Sequence, residues 1–115
     1  MMRKRYLVEL GSGVDMHGGD CTKAATRALR DAISHCSMVG LRELAGVTNY
    51  LKEVQLEVIL SAPDPASIDL DQVRAALPPY EHVDIRAESG GLTVPGNDPI
   101  TVANAAVIIW VEVSP

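Results

Sequence analysis

The 115-residue sequence has no phenylalanine, one tryptophan (Trp110) and three tyrosines (Tyr6, Tyr50 and Tyr80). Nucleobases would find little to stack on, and stacking is a main source of affinity for single strands. Positive charge is also scarce: 10 Lys and Arg stand against 15 Asp and Glu, a net charge of −5. Phosphate contacts dominate nucleic-acid affinity and call for a basic face, so the composition argues against nucleic acid as a partner. No apolar run reaches the ~18 residues of a membrane helix. The basic start Arg3-Lys4-Arg5 leads into an alternating segment containing Glu9, not into the apolar core of a signal peptide. No membrane partner is expected, and the expected location is the cytoplasm.

Cysteine is sparse too, with Cys21 and Cys36 alone. They stand at the two ends of one expected helix, roughly 22 Å apart at ~1.5 Å rise per residue. A disulfide needs Cα atoms within about 7 Å, so reduced thiols and a reducing compartment are expected. Repeats, low-complexity tracts and linkers are lacking, and residues 1–115 read as a single domain of ordinary size.

What is present is a sequence of periodic segments. Residues 4–11 alternate as a strand, with Tyr6, Val8 and Leu10 on one face and Arg5, Leu7 and Glu9 on the other. The glycine-rich stretch that follows is expected to break it. Asp20 has the place of an N-cap. Ala24, Ala25, Ala28, Leu29, Ala32, Ile33 and Cys36 then form an apolar stripe at the helical period. Its alanines imply close approach to a flat sheet. Residues 40–53 are irregular or briefly helical. Residues 54–62 form a second strand, ended by Pro63 and Pro65. Asp69 to Gln72 has the form of a capping box, stapled by Ile68 and Val73, and Pro78-Pro79 stops the short helix it opens. Residues 82–89 alternate as a strand, 90–99 form a turn-rich connection, and 101–113 form a long apolar strand with both faces covered. The order β-α-β-α-β-β predicts an α+β fold: a four-stranded sheet with two helices on one face. The other face needs a partner, so a homo-oligomer is expected.

Residues 11–20, "GSGVDMHGGD", are the densest concentration of special residues. As a phosphate cradle the stretch fails on spacing: Met16 stands where GxGxxG needs glycine, and no Lys-Ser/Thr follows. In an extended segment Asp15 and His17 point the same way, and a carboxylate beside an imidazole orients the ring and raises its basicity. His17 is then a candidate general base or one ligand of a divalent metal, with Asp15 as the other. Two ligands fall short of the three or four that zinc wants, and no recognised spacing links Glu9, Asp20, Glu57, His35 or Cys36 to the pair. Gly11, Gly13 and Gly18 would let the backbone approach a bound molecule. The plain alternative is a tight turn with a helix cap. A second candidate is Ser89-Gly90-Gly91, a nucleophile with glycine N–H groups behind it, or equally a strand-ending turn. Glu57 and Glu112 lie in apolar strands, as candidate acids if buried or as partners of an arginine such as Arg86.

The pattern Gly11-Ser12-Gly13-Val14-Asp15-Met16-His17-Gly18 resembles the GxGxDxHG signature of the Lin-type family of conserved hypothetical proteins of bacteria and plants. That resemblance implies a shared fold over most of the chain and brings no function. The element order, together with Leu60-Ser61-Ala62-Pro63-Asp64 and with Glu88 ahead of Gly90-Gly91-Leu92, is similar to the small trimeric chorismate mutases and the Rid deaminase-like proteins. It implies a homotrimer with a site between subunits, with Glu88 in the mutases' active-site position. The mutases also use an arginine in the last strand, and residues 101–113 contain none. Two functions are therefore carried forward. One is an enzyme acting on a small polar molecule at an inter-subunit cleft through Asp15, His17, Glu88 and Ser89, with Gly11, Gly13, Gly18, Gly90 and Gly91 lining the ligand. The other is a non-catalytic ligand-binding or regulatory oligomer.

Overall fold

The computed structural model describes residues 2–114. Strand β1 (Met2–Asp15) is followed by helix α1 (Cys21–Ser34), the short helices α2 (Val39–Ala45) and α3 (Tyr50–Glu53), and strand β2 (Val54–Ala62). A 3-10 turn (Pro65–Ser67) and helix α4 (Leu70–Arg74) lead to β3 (His82–Ser89), β4 (Leu92–Val94) and β5 (Ile100–Val113). The sheet order is β1-β5-β2-β3, with β4 also paired to β5. β5 runs antiparallel to both β1 and β2, and β2 and β3 are parallel.

The α+β class stands, but the sheet has five strands and not four. β5 runs on past the end of β2, where Ser61 pairs Asn104. Its edge at Ile100–Val102 would be left unpaired, and β4 folds back onto it, with Leu92 opposite Val102. The turn-rich connection therefore contains a strand. Among the described residues there are also four α-helices, because residues 39–53 form two short ones.

β1 departs furthest from expectation. It continues through Gly11 and Gly13 to Asp15. Its register shifts between Arg5 and Leu7, a bulge that turns both Tyr6 and Leu7 inward, where they pack against the core. Val8 and Leu10 consequently lie on the open side, and Tyr6 does not share their face. The glycines do not break the strand because their task is contact. A Cβ on Gly11 would collide with the backbone of Ala28 and Ala32, and one on Gly13 with that of Ala24 and Ala28. The alanine stripe of α1 thus rests directly on the backbone of β1.

Both expected caps form: Asp20 accepts from the Lys23 N–H and Asp69 from the Gln72 N–H, each at 3.1 Å. The core lies between the helices and one sheet face, around Leu29, Leu41, Leu56, Leu60 and Ile109, all essentially without solvent contact. Among the described residues no helix covers the opposite face, so helices shield β5 on one side only. There Leu10 is 68 % exposed, and Val8, Val14, Leu92 and Val94 are also exposed. Cys21 and Cys36 are both free thiols. Among the described residues no helix is long and apolar enough to cross a membrane.

Candidate functional site

At the upper end of the sheet, β1 hands the chain to α1 through residues 16–20. Asp15 is 4 % exposed. Its Oδ2 accepts from the Asp20 N–H at 2.8 Å, and its Oδ1 lies 3.8 Å from the Arg27 guanidinium. Arg27 also donates to the Val14 carbonyl. Asp15 therefore ties the end of the strand to the cap of the helix and turns its carboxylate inward.

His17 goes the other way. Its side chain is 84 % exposed, and Nδ1 lies 2.6 Å from Oδ2 of Asp98. Oδ1 of the same carboxylate accepts from the Gly18 N–H at 2.8 Å. The hydrogen bond from His17, then that from Gly18, holds the Asp98 carboxyl below its ordinary range. The carboxylate–imidazole pair is thus His17–Asp98; Asp15 hydrogen-bonds elsewhere. Gly18 and Gly19 both have positive φ (87° and 64°), which makes the sharp turn that lets the loop reach Asp98.

The other candidates separate in the same manner. Gly11 and Gly13 lie under α1, where no ligand reaches the space above their Cα atoms. Glu88 and Ser89 are exposed at the end of β3, separated from β1 by two intervening strands, β5 and β2. The Gly90 N–H donates to the Ala62 carbonyl at 3.0 Å, so it is engaged in the turn. Gly91 has φ +67°, and a side chain there would strike the Val102 carbonyl. A single chain therefore does not assemble Asp15, His17, Glu88 and Ser89 into one constellation. Among the described residues no three His, Cys, Asp or Glu side chains converge as a metal-ligand set.

Asp98 was not legible as a site residue. It stands 81 positions from His17, in a Gly-Asn-Asp-Pro segment that reads as a turn. Asn104 had a visible signal, a lone amide inside an apolar strand. At the far end of the open face, Arg3 and Arg5 stack on Trp110, with guanidinium carbons 4.1 and 5.0 Å from the ring centroid. The Trp110 indole N–H donates to Glu57 at 3.1 Å, and Arg86 donates to the same carboxylate at 2.7 Å. Arg86 first, and Trp110 second, hold the Glu57 carboxyl low. Glu57 is an arginine partner and not a raised-pKa acid. A depression of about 390 Å³ beside this cluster is lined by Arg3, Gln55 and His82 among others, at the opposite end of the strands from His17.

An α+β chain with one helix-covered face, one open face and a His–Asp loop at the rim is the class defined so far. The family model described as conserved hypothetical protein (Lin0512 family) matches residues 5–109, and the chain belongs to that family. It is similar to an FtsZ-like protein of unknown function from Nostoc punctiforme PCC 73102, whose crystal structure was determined at 1.22 Å. The two are 37 % identical with a TM-score of 0.86, over 97 % of this chain and 98 % of that one. No curated protein matches. The chain is a conserved protein of unknown function.

Proposed function

We propose that the chain is a self-associating module that binds a small polar molecule between its copies, without chemistry of its own. The observation that carries this reading is the uncovered face with its exposed apolar side chains, Leu10 on the edge strand β1 being 68 % exposed. Soluble monomers rarely expose a large contiguous apolar surface. Four strands ~4.8 Å apart, and a rise of ~3.3 Å per residue along β1 and β5, make the whole open face, its charged end around Trp110 included, roughly 15–20 Å by 45 Å, on the order of 800 Å². That is about the area each partner contributes to a standard stable interface. The occupant is a second copy of this chain. In a chorismate-mutase-like arrangement the closed assembly is a homotrimer with the open faces turned inward. His17 and Asp98 then stand at a rim where a neighbouring copy's Glu88 and Ser89 can approach.

Light scattering at micromolar concentration tests the assembly. A mass of three chains is expected, reduced towards one by Leu10→Lys; a monomeric wild type overturns the reading. The catalytic alternative rests on the His17–Asp98 pair, since a carboxylate 2.6 Å from the imidazole orients the ring as a general base requires. In that version Asp98 is the orienting residue, and Asp98→Asn would lower turnover with the assembly intact.

A further inference from the structure

The strand register places Ser12 opposite Asn104, Asn104 opposite Ser61, and Ser61 opposite Glu88. Paired residues share a face, so these four side chains form one transverse row across β1, β5, β2 and β3 on the open side of the sheet. With strands ~4.8 Å apart, the row is roughly 14 Å long. Apolar rows flank it. Leu10, Ala106 and Ile59 lie on one side, and Val14, Val102 and Leu92 on the other.

We propose that Ser12, Asn104, Ser61 and Glu88 are the ligand site of the assembled protein, and that it takes a neutral or cationic small molecule rich in amide or hydroxyl groups. The inference rests on the self-association reading, because it is the covering copy that removes water from the face. Among the described residues, the Ser12 and Ser61 hydroxyls and the Asn104 amide have no hydrogen-bond partner in the chain, and Glu88 accepts from Arg86 Nε at 3.4 Å. Enclosed without partners, each such group would cost about 1–3 kcal/mol. An apolar face meant only for packing would not carry three of them in line with a carboxylate. Residue 90 keeps the site accessible: a Cβ on Gly90 would come within 2.9 Å of the Ser61 Cβ, so any side chain there would crowd that serine. Charge sets the ligand class. The row carries one carboxylate, and the nearby cation Arg86 is engaged by Glu57 at 2.7 Å. Anions are disfavoured, and donors are drawn towards the Glu88 end.

The test is ¹⁵N-resolved NMR of the Asn104 side-chain amide in the intact assembly, with malonamide, β-alaninamide and citrate as probes. Both amides should shift the Asn104 signals and citrate should not. Glu88→Gln should weaken β-alaninamide about tenfold, the worth of one charge-assisted contact, and leave malonamide unchanged. Ser61→Ala, a change too small to disturb folding, should weaken both amides. An assembly whose Asn104 signals ignore both amides, or respond most to citrate, overturns the site with the self-association reading intact. A monomer in light scattering overturns both.

Discussion

The two faces of the sheet make opposite use of the same strand. Along β1 the residues run Leu10, Gly11, Ser12, Gly13, Val14. Those turned to the helix are glycines and those turned to the open side are mostly large and apolar. An ordinary amphipathic strand does the reverse. The covered side needs nothing larger than hydrogen because α1 brings alanines onto the strand, so dispersion contacts form backbone to backbone. The open side has room, and Leu10 and Val14 remain exposed there. The difference teaches that between Leu10 and Val14 apolar size points away from the chain's own core.

The comparison breaks most severely at Gly13. Gly13→Val places a branched side chain where a single Cβ already meets the Ala24 and Ala28 backbone. Overpacking ordinarily costs about 1–3 kcal/mol, and with backbone as the obstacle about 3 kcal/mol or more is expected, read as a fall in the urea midpoint. Gly13→Ala costing under ~0.5 kcal/mol would show that the helix is free to lift.

A leucine from each face sharpens the contrast. Leu29 has no solvent exposure, and Leu29→Ala should cost about 2–5 kcal/mol through lost burial and the cavity left behind. Leu10→Ala should change the stability of a dissociated chain by no more than ~0.5 kcal/mol while weakening assembly. Equal losses at the two positions in dilute protein would mean that the faces are not different. Smaller again is the cap: Asp20→Ala removes the acceptor for the Lys23 N–H and should cost about 1 kcal/mol in thermal or urea unfolding.

Legibility followed the range of the interactions. Caps at Asp20 and Asp69, the strand spans Val54–Ala62 and His82–Ser89, and the alanine stripe depend on neighbours within a few residues, and all were readable. The bulge at Tyr6 was not, because a strand's own alternation carries no record of an inserted residue opposite Trp110 and Ile109. Nor was the continuation of β1 through Gly11 and Gly13. Glycine in a strand usually weakens it, and only a helix lying on top makes it necessary. The site was hardest. The sequence spacing of Asp15 and His17 pointed to a pair in an extended segment, but the strand ends at Asp15 and the turn after it rotates His17 outward. The true partner, Asp98, comes from a loop 81 residues away, a distance that no local pattern bridges.

The smallest effect is expected in that loop, and its pH dependence has a definite sign. Asp98 is a carboxyl held low in the folded state, first by His17 and then by the Gly18 N–H. A depressed carboxyl contributes order that is fully present above its unfolded pKa, ~3.9, and is lost as pH falls through the lower folded value. His17 donates to the Asp98 carboxylate through Nδ1–H in the tautomer that carries a proton there. Hydrogen exchange at the Gly18 amide, corrected for intrinsic rates, should therefore show protection that is level from pH 7 to about pH 5 and declines only in more acid solution. Asp98→Ala should lower that protection a few-fold at every pH and leave the Lys23 amide, capped independently by Asp20, unaffected. Protection that already fades above pH 5, or that survives the substitution, would show that the carboxylate does not hold the loop. His17 would then be a free surface imidazole with no claim to the rim of a site.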